Sequence, residues 1–443
     1  MNSKPISRRK FLGRTAAAAG GAITILPAHV LGGAGQTPPS EQLNVAGIGA
    51  GGQAADDLDR VARNSNIVAL CDVDDERAAE SFNRWPKATR YKDFRVMLEK
   101  EKGIDAVVVA TPDHFHAVAA MAAMELGKHV YVEKPMAHSI YEVRKLMEAA
   151  RKHKVATQMG NQGHSFRGCR MLRAWIEDGA IGDVREVHCW TNRPTWPQGI
   201  DRPTDTPPVP PTLDWDIWLG PAPVRPYNPA YAPRNWRGWI DFGCGALGDM
   251  GCHILDGSFW ALNLGAPVRV SSESSGANGE TFPKWSVIRY EFPQRGKMPP
   301  VTLTWYDGGK MPPRPEELET GRKMGDSDGG ALLVGEKGKI VTGTYGNGVR
   351  IIPEEKMQAY KQPEKETTRL PDHHENWLLA CKGGEPAVSN FDYAGPLTEM
   401  VLLGNIVLLA GQPIEWDAQN ARIPNVPGAE QYLHRAYRDG WTL

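Results

Sequence analysis

The residues that most constrain the chemistry are six in a row, Gly47-Ile48-Gly49-Ala50-Gly51-Gly52, placed directly after the apolar run Leu43-Asn44-Val45-Ala46. Gly47, Gly49 and Gly52 fall in the three positions of a G-x-G-x-x-G turn, which holds a dinucleotide pyrophosphate. The chemistry needs one glycine for a tight turn, one where backbone approaches the anion, and one where helix packs on strand. A helix starting at Gln53 then points its unpaired N–H groups at the phosphates. Ile67-Val68-Ala69-Leu70-Cys71 reads as the next buried strand, and Asp72 ends it 20 residues after Gly52. An acid there accepts hydrogen bonds from the adenosine ribose and repels a 2′-phosphate, so the expected cofactor is NAD rather than NADP. The alternative is that Asp72 only opens the turn Asp72-Val73-Asp74-Asp75.

The elements around this turn alternate. Ala106–Ala110 and His129–Val132 are predicted strands, and Phe115–Leu126 and Ile140–His153 predicted helices, the last with Val143, Leu146 and Met147 at helical spacing. That order implies a doubly wound parallel sheet over residues 41–157. From residue 158 to 443 the texture changes. Val184–Trp190, Val268–Ser272, Trp285–Phe292 and Val301–Tyr306 alternate polar and apolar residues, as in an antiparallel sheet with one open face, and Gly329–Val334 and Gly338–Thr342 read as further strands. Leu397–Leu409 reads as a strongly apolar helix. Residues 193–240 form an insertion rich in proline and tryptophan, whose composition argues for an ordered functional loop. No internal repeat is visible.

Residues 1–35 are set apart. Ser7-Arg8-Arg9-Lys10-Phe11-Leu12-Gly13 followed by the mildly apolar stretch Thr15–Val30 reads as a twin-arginine export signal. Such a signal addresses folded proteins to the periplasm through the twin-arginine (Tat) machinery, and a nicotinamide cofactor must then be acquired before export and held tightly. About 400 residues remain, enough for two domains. The net charge of −1 gives no sign of nucleic-acid or membrane-surface binding. Six scattered cysteines, none in Cys-x-x-Cys, indicate neither a zinc site nor a disulfide framework, with Cys244–Cys252 as one conceivable bridge.

Glu133-Lys134-Pro135 and the segment Gly245-Ala-Leu-Gly-Asp249-Met-Gly-Cys-His253-Ile-Leu-Asp256 complete the set. With the glycine turn, Ala110-Thr111-Pro112-Asp113-His114-Phe115-His116 and Gly160-Asn161-Gln162, they resemble the Gfo/Idh/MocA oxidoreductase family over nearly everything after the export signal. Trp215-Asp216-Ile217-Trp218-Leu219-Gly220-Pro221 resembles the exported bacterial branch. The resemblance implies an N-terminal Rossmann domain and a C-terminal open-faced, mostly antiparallel β-sheet domain flanked by helices, through which members commonly form homo-oligomers. It implies Lys134 as the catalytic lysine, with a cis bond to Pro135, and His253 facing it across the substrate as acid or base. Asp249, one helical turn before His253, would orient the imidazole or bind sugar hydroxyls. Thr111, Pro112, Glu133 and Gln162 would contact the nicotinamide side, and His116 would shape the cofactor pocket.

The chemistry is coherent in itself. Hydride transfer from a carbinol needs a group to take the hydroxyl proton, and a lysine desolvated near a cationic nicotinamide is expected to have a lowered pKa. Histidine titrates near neutrality anyway. His116, His253 and Asp256 lack the spacing of a metal site, so none is expected. Cyclic polyols and sugars are the implied substrates. Trp190, Trp196, Trp236, Trp239 and Trp305 are candidate stacking surfaces, with Arg234, Arg237 and Asp307 as polar partners; the same tryptophans would equally suit a protein–protein contact. The function expected is an NAD-dependent sugar or glycoside oxidoreductase. Two alternatives use the same residues: a redox-neutral NAD-dependent glycosidase that transiently oxidises C3, and a non-catalytic sugar-binding protein with structural NAD.

Overall fold

A computed structural model describes residues 42–363 and 371–443; the expected export signal, residues 1–35, lies outside them. Residues 43–443 pack as one compact unit built on two sheets. The first comprises β1 (Leu43–Ile48), β2 (Ser65–Cys71), β3 (Thr89–Tyr91), β4 (Ala106–Val109), β5 (His129–Val132) and β6 (Thr157–Met159). Its order is β3-β2-β1-β4-β5-β6, all parallel. The central strands carry Val45, Ala46, Val107, Val108 and Val130 fully buried, because helices cover both faces. The order reverses between β1 and β4. The crevice beyond their carboxyl ends is where open α/β sheets bind ligands.

The second sheet contains β7 (Val184–Thr191), β8 (Arg269–Ser274), β9 (Ser286–Phe292), β10 (Val301–Tyr306), β11 (Gly329–Gly335), β12 (Lys339–Thr342), β13 (Arg350–Ile352) and β14 (Ile414–Glu415). Its order is β13-β12-β11-β7-β10-β9-β8-β14. It is mostly antiparallel, as expected, with one parallel pair, β7 and β10. Between them the chain makes the insertion, helices and the antiparallel strands β8 and β9, so β10 reaches β7 by way of β9 and runs in the same direction. The helix Phe391–Ala410 extends six residues beyond the expected start, capped by the Asn390 side chain on the Asp392 N–H. It is apolar enough to cross a membrane, but most of it is buried in the core between the two sheets.

Several elements escaped the sequence reading, among them the helices Phe94–Lys100 and Arg167–Glu177 and one that returns from far along the chain. The helix His373–Cys381 returns to the first sheet, where Trp377, Leu378 and Cys381 pack with Leu58, Leu70, Val108 and Tyr131. All six cysteines are buried and free. A Cys244–Cys252 bridge is excluded by geometry: eight residues along a helix are separated by about 12 Å.

Candidate active site

The glycine turn leaves β1 at the reversal point, and its three glycines divide the work differently from the expected order. Gly47 is still in the strand, where a Cβ would meet the Leu58 side chain at 3.0 Å; it is the glycine that lets helix pack on strand. Gly49 makes the turn, with φ of +80° and room for no Cβ, which would lie 2.7 Å from the Ala110 carbonyl oxygen. Gly52 caps the helix Gln53–Val61, whose first N–H groups have no side-chain partner and face the crevice. Gly49→Ala is therefore expected to abolish dinucleotide binding, measurable by calorimetric titration of the folded variant; unchanged affinity would remove the turn from the cofactor site.

Asp72 is tied to that turn. Its Oδ2 accepts from the Ala50 and Gly51 N–H groups at 2.7 and 3.1 Å, and its Oδ1 accepts from Asp74 N–H. Burial pushes the carboxyl up, against the pull of these donors. Asp72, Thr111, Pro112, His116, Glu133 and Lys134 all line one cleft with Gly49 and Gly51. Thr111 Oγ1 is buried there without a partner among the described residues. His116 is a strut: its ring nitrogens stand 2.8 Å from the Pro135 carbonyl oxygen and 2.9 Å from that of Thr111. Burial holds it at about 4, so it is neutral and donates its single N–H to one of the two carbonyls.

Glu133 and Lys134 follow β5 at its carboxyl end, and the Lys134–Pro135 bond is cis. The Glu133 carboxyl accepts from Gln162 Nε2 at 3.0 Å, and burial pushes it up to about 8. Lys134 Nζ donates to the Asp249 backbone oxygen at 2.9 Å and to its Oδ1 at 3.2 Å. The expected lowering rested on burial beside a cationic nicotinamide; the protein's own acids act the other way. Burial does pull the ammonium down, but the carboxylates of Asp249 and Glu133 outweigh it and the net shift is upward.

Asp249 and His253 stand one turn apart on the helix Gly245–Ile254, so both face Lys134. Asp113 anchors this helix to the first sheet by accepting the Cys244 N–H at 2.9 Å. Asp249 also receives Arg237 Nε on Oδ1 at 3.0 Å and Arg193 Nε on Oδ2 at 3.3 Å. Burial would raise its pKa, yet Lys134, Arg237 and Arg193 hold it well below the usual carboxylate range. His253 shows the opposite balance. Burial, then the Lys134 ammonium, hold it well below ordinary imidazole, so it is neutral. Its Nδ1 has no partner among the described residues, and its ring meets Tyr345 edge-on at 4.9 Å. Lys134, Gln162, Arg193, Asp249, His253 and Tyr345 border one space that continues the dinucleotide cleft.

The tryptophan expectations need correction. Trp190 is buried against Leu318, Leu332 and Val341, and Trp305 is fully buried with its indole N–H on Asp307, so neither reaches the cleft. Asp307 is spent on Ser286 and Trp305 in the same core. Arg234 turns outward to Thr195; Arg237, three residues on, is the one that enters the site. Trp236 does line the cleft, under the Arg237 guanidinium at 4.3 Å. Most insertion aromatics stack on each other, Trp215 on Trp218 at 4.6 Å with Tyr231 and Phe242 alongside. The insertion is a cofactor-cleft wall. It is fastened across the chain after Asp72 by Asp75 N–H to Thr212, Asp214 N–H to Val73, and Lys92 Nζ to both carbonyls. Arg193 and Tyr345 were not foreseen, because neither sits in a motif; only the fold brings them to His253.

A dinucleotide-type parallel sheet whose crevice runs into a lysine–histidine space defines an oxidoreductase class, and the comparisons agree. Residues 43–161 match the family model described as an oxidoreductase family, NAD-binding Rossmann fold, and residues 186–299 its C-terminal alpha/beta domain. The chain belongs to the Gfo/Idh/MocA family, and NAD is the cofactor of its Rossmann fold. Levoglucosan dehydrogenase of Pseudarthrobacter phenanthrenivorans is 27% identical over 201 residues, 44% of this chain and 43% of that protein. Inositol 2-dehydrogenase of Acidothermus cellulolyticus is 28% identical over 254 residues, 55% of this chain and 72% of that one. The matched region thus spans less than half the length of the first of these relatives. Among solved structures, the WlbA dehydrogenase of Bordetella pertussis with NADH and UDP-GlcNAcA superposes with a TM-score of 0.61 at 16% identity, covering 85% of this chain and 99% of that one. An inositol dehydrogenase homolog of Azotobacter vinelandii with NADH and myo-inositol gives 0.57 at 18%, covering 86% and 100%. These likenesses show the fold.

Proposed function

We propose that the protein is an NAD-dependent oxidoreductase acting on a ring hydroxyl of a sugar or related polyol. One observation carries this: a charged lysine and a neutral imidazole border one space at the mouth of the dinucleotide cleft. The cleft fits the cofactor, with a glycine turn that excludes a Cβ, an uncapped helix N-terminus, Asp72 on the ribose side, and the unpartnered Thr111 hydroxyl further in. Bound NAD supplies the hydride acceptor. His253, held neutral, takes the proton of the substrate hydroxyl as the carbonyl forms. Lys134 donates a hydrogen bond to the same oxygen and stabilises its developing negative charge. In the reverse direction the protonated His253 returns the proton to that oxygen while Lys134 keeps its hydrogen bond. Relatives named as inositol and levoglucosan dehydrogenases act on substrates of this kind.

The protonation states set a pH profile. A base must be neutral, and His253 stays neutral below the ordinary imidazole value of about 6.5. The acid limb of kcat/KM for oxidation is therefore expected below pH 6, and the alkaline limb above pH 10, where Lys134 loses its proton. An acid limb centred near 7 would count against His253 as the base. The deciding experiment incubates purified protein with sugars and nitrophenyl glycosides, following absorbance at 340 nm and aglycone release together. Net NADH formation supports the dehydrogenase; aglycone release without net NADH favours the glycosidase; binding with neither favours a silent receptor. Export by the twin-arginine route and homo-oligomerisation through the open face of the second sheet belong to the same reading, tested by periplasmic fractionation and light scattering.

A further inference from the structure

The Asp249 carboxylate gathers more positive charge than it can neutralise. Lys134 Nζ and Arg237 Nε share its Oδ1, and Arg193 Nε takes Oδ2. The one other acid in the cluster, Asp328, meets Arg193 Nη1 at 3.3 Å. Three cations against two carboxylates leave one positive charge in excess. Two nearby acids cancel it only in part near neutrality, because burial pushes Glu133 up to about 8 and Asp113 up to about 7. Both arginines come from the insertion, and neither is fully used. Among the described residues no acceptor meets the Nη2 of either. Arg237 lies against the Trp236 ring, which fixes the plane of its fork, and Arg193 borders the same space as His253.

We propose that the substrate is an acidic sugar whose carboxylate is received by the free guanidinium edges of Arg193 and Arg237. This rests on the oxidoreductase reading and adds the charge of the substrate to it. A planar guanidinium with free N–H groups matches a carboxylate in shape as well as sign. Because the two arginines and Lys134 converge on one carboxylate, a single sugar spans from the reacting hydroxyl at Lys134 and His253 to this anchor. A neutral sugar would displace water from the surplus charge and offer hydroxyl acceptors but no counter-charge, which is costly in a half-buried site. A phosphate ester brings a second negative charge that the cluster does not balance.

The test uses protein purified with its bound dinucleotide. Methyl glucuronoside is compared with methyl glucoside, methyl galacturonoside with methyl galactoside, and glucose 6-phosphate is a third arm. Binding is read by calorimetry and turnover at 340 nm. The sugar acid is expected to bind about tenfold or more tighter than its neutral partner, with a preference that shrinks as salt is added. R193Q and R237Q should each cut the acid-to-neutral ratio by about tenfold, and R237K, which keeps the charge but loses the fork, should fall between. If a glutamine variant fails to fold, the lysine variant and the salt series still decide. Equal or tighter binding of the neutral sugar, tighter binding of the phosphate, equal loss of both in the variants, or no sugar binding at all overturns the proposal. Acid-selective binding without any change at 340 nm leaves it standing and defeats the oxidoreductase reading. Preferential oxidation of the neutral sugar does the reverse.

Discussion

Lys134→Ala is expected to lower turnover about a hundredfold or more while the bound nucleotide is retained, the loss typical of a removed proton-transfer or charge-stabilising group. The two effects separate because Lys134 sits at the far end of the cleft from the glycine turn and Asp72, which hold the phosphates and ribose. Alanine removes the group that hydrogen-bonds the substrate oxygen and leaves Asp249 with two arginines, so the helix bearing His253 keeps its anchorage. Nucleotide content after gel filtration and kcat on the best sugar measure the two quantities. Retained turnover would take Lys134 out of the mechanism. Loss of nucleotide together with turnover would make it a cofactor residue instead. Lys134→Arg is a useful companion, since it keeps a cation at Asp249 but cannot lose its proton.

What was legible in the sequence follows from locality. The glycine turn, Asp72, Glu133, Lys134, Asp249 and His253 lie within short motifs whose residue types are forced by backbone or chemistry, and the structure places all of them along one cleft. The parallel sheet was legible for the same reason, since each strand is bounded by its own helix. What failed depended on distance along the chain. Trp190 and Trp305 were offered as sugar platforms because tryptophan is amphipathic, yet a side chain's face of a strand is decided by what packs on it: a loop carrying Leu318 for one, the helical core for the other. The helix His373–Cys381 lies more than two hundred residues from the sheet it covers, and no local periodicity announces such a return. The expectation for Lys134 weighed burial and a cationic nicotinamide but not the acids of the protein itself. A carboxylate 115 residues away reverses the sign.

That carboxylate carries the second large effect. Asp249→Asn keeps the shape and one acceptor but removes the shared counter-charge of three cations, each at least two-thirds buried. Stripping one partner from a buried ion pair costs about 3 kcal/mol or more, which for a chain of this length is a melting point a few degrees lower. The pH dependence of that loss has a definite sign. Asp249 is depressed in the folded state, so its contribution is present above the unfolded carboxylate value of about 3.9 and is lost as pH falls through the folded value. Lys134 is raised, so its contribution is complete below about 10.4 and is lost as pH rises through its folded value. The stability gap between wild type and variant is therefore widest between these limits and narrows in acid and in strong alkali. The variant's alkaline limb should also move to lower pH, because burial and Arg237 then act on Lys134 with only Glu133 and Asp113 against them. Melting curves from pH 3 to 11 and the pH profile of kcat read both. A uniform loss at every pH, with an unmoved alkaline limb, would mean that Asp249 supports the fold without setting the charge of Lys134.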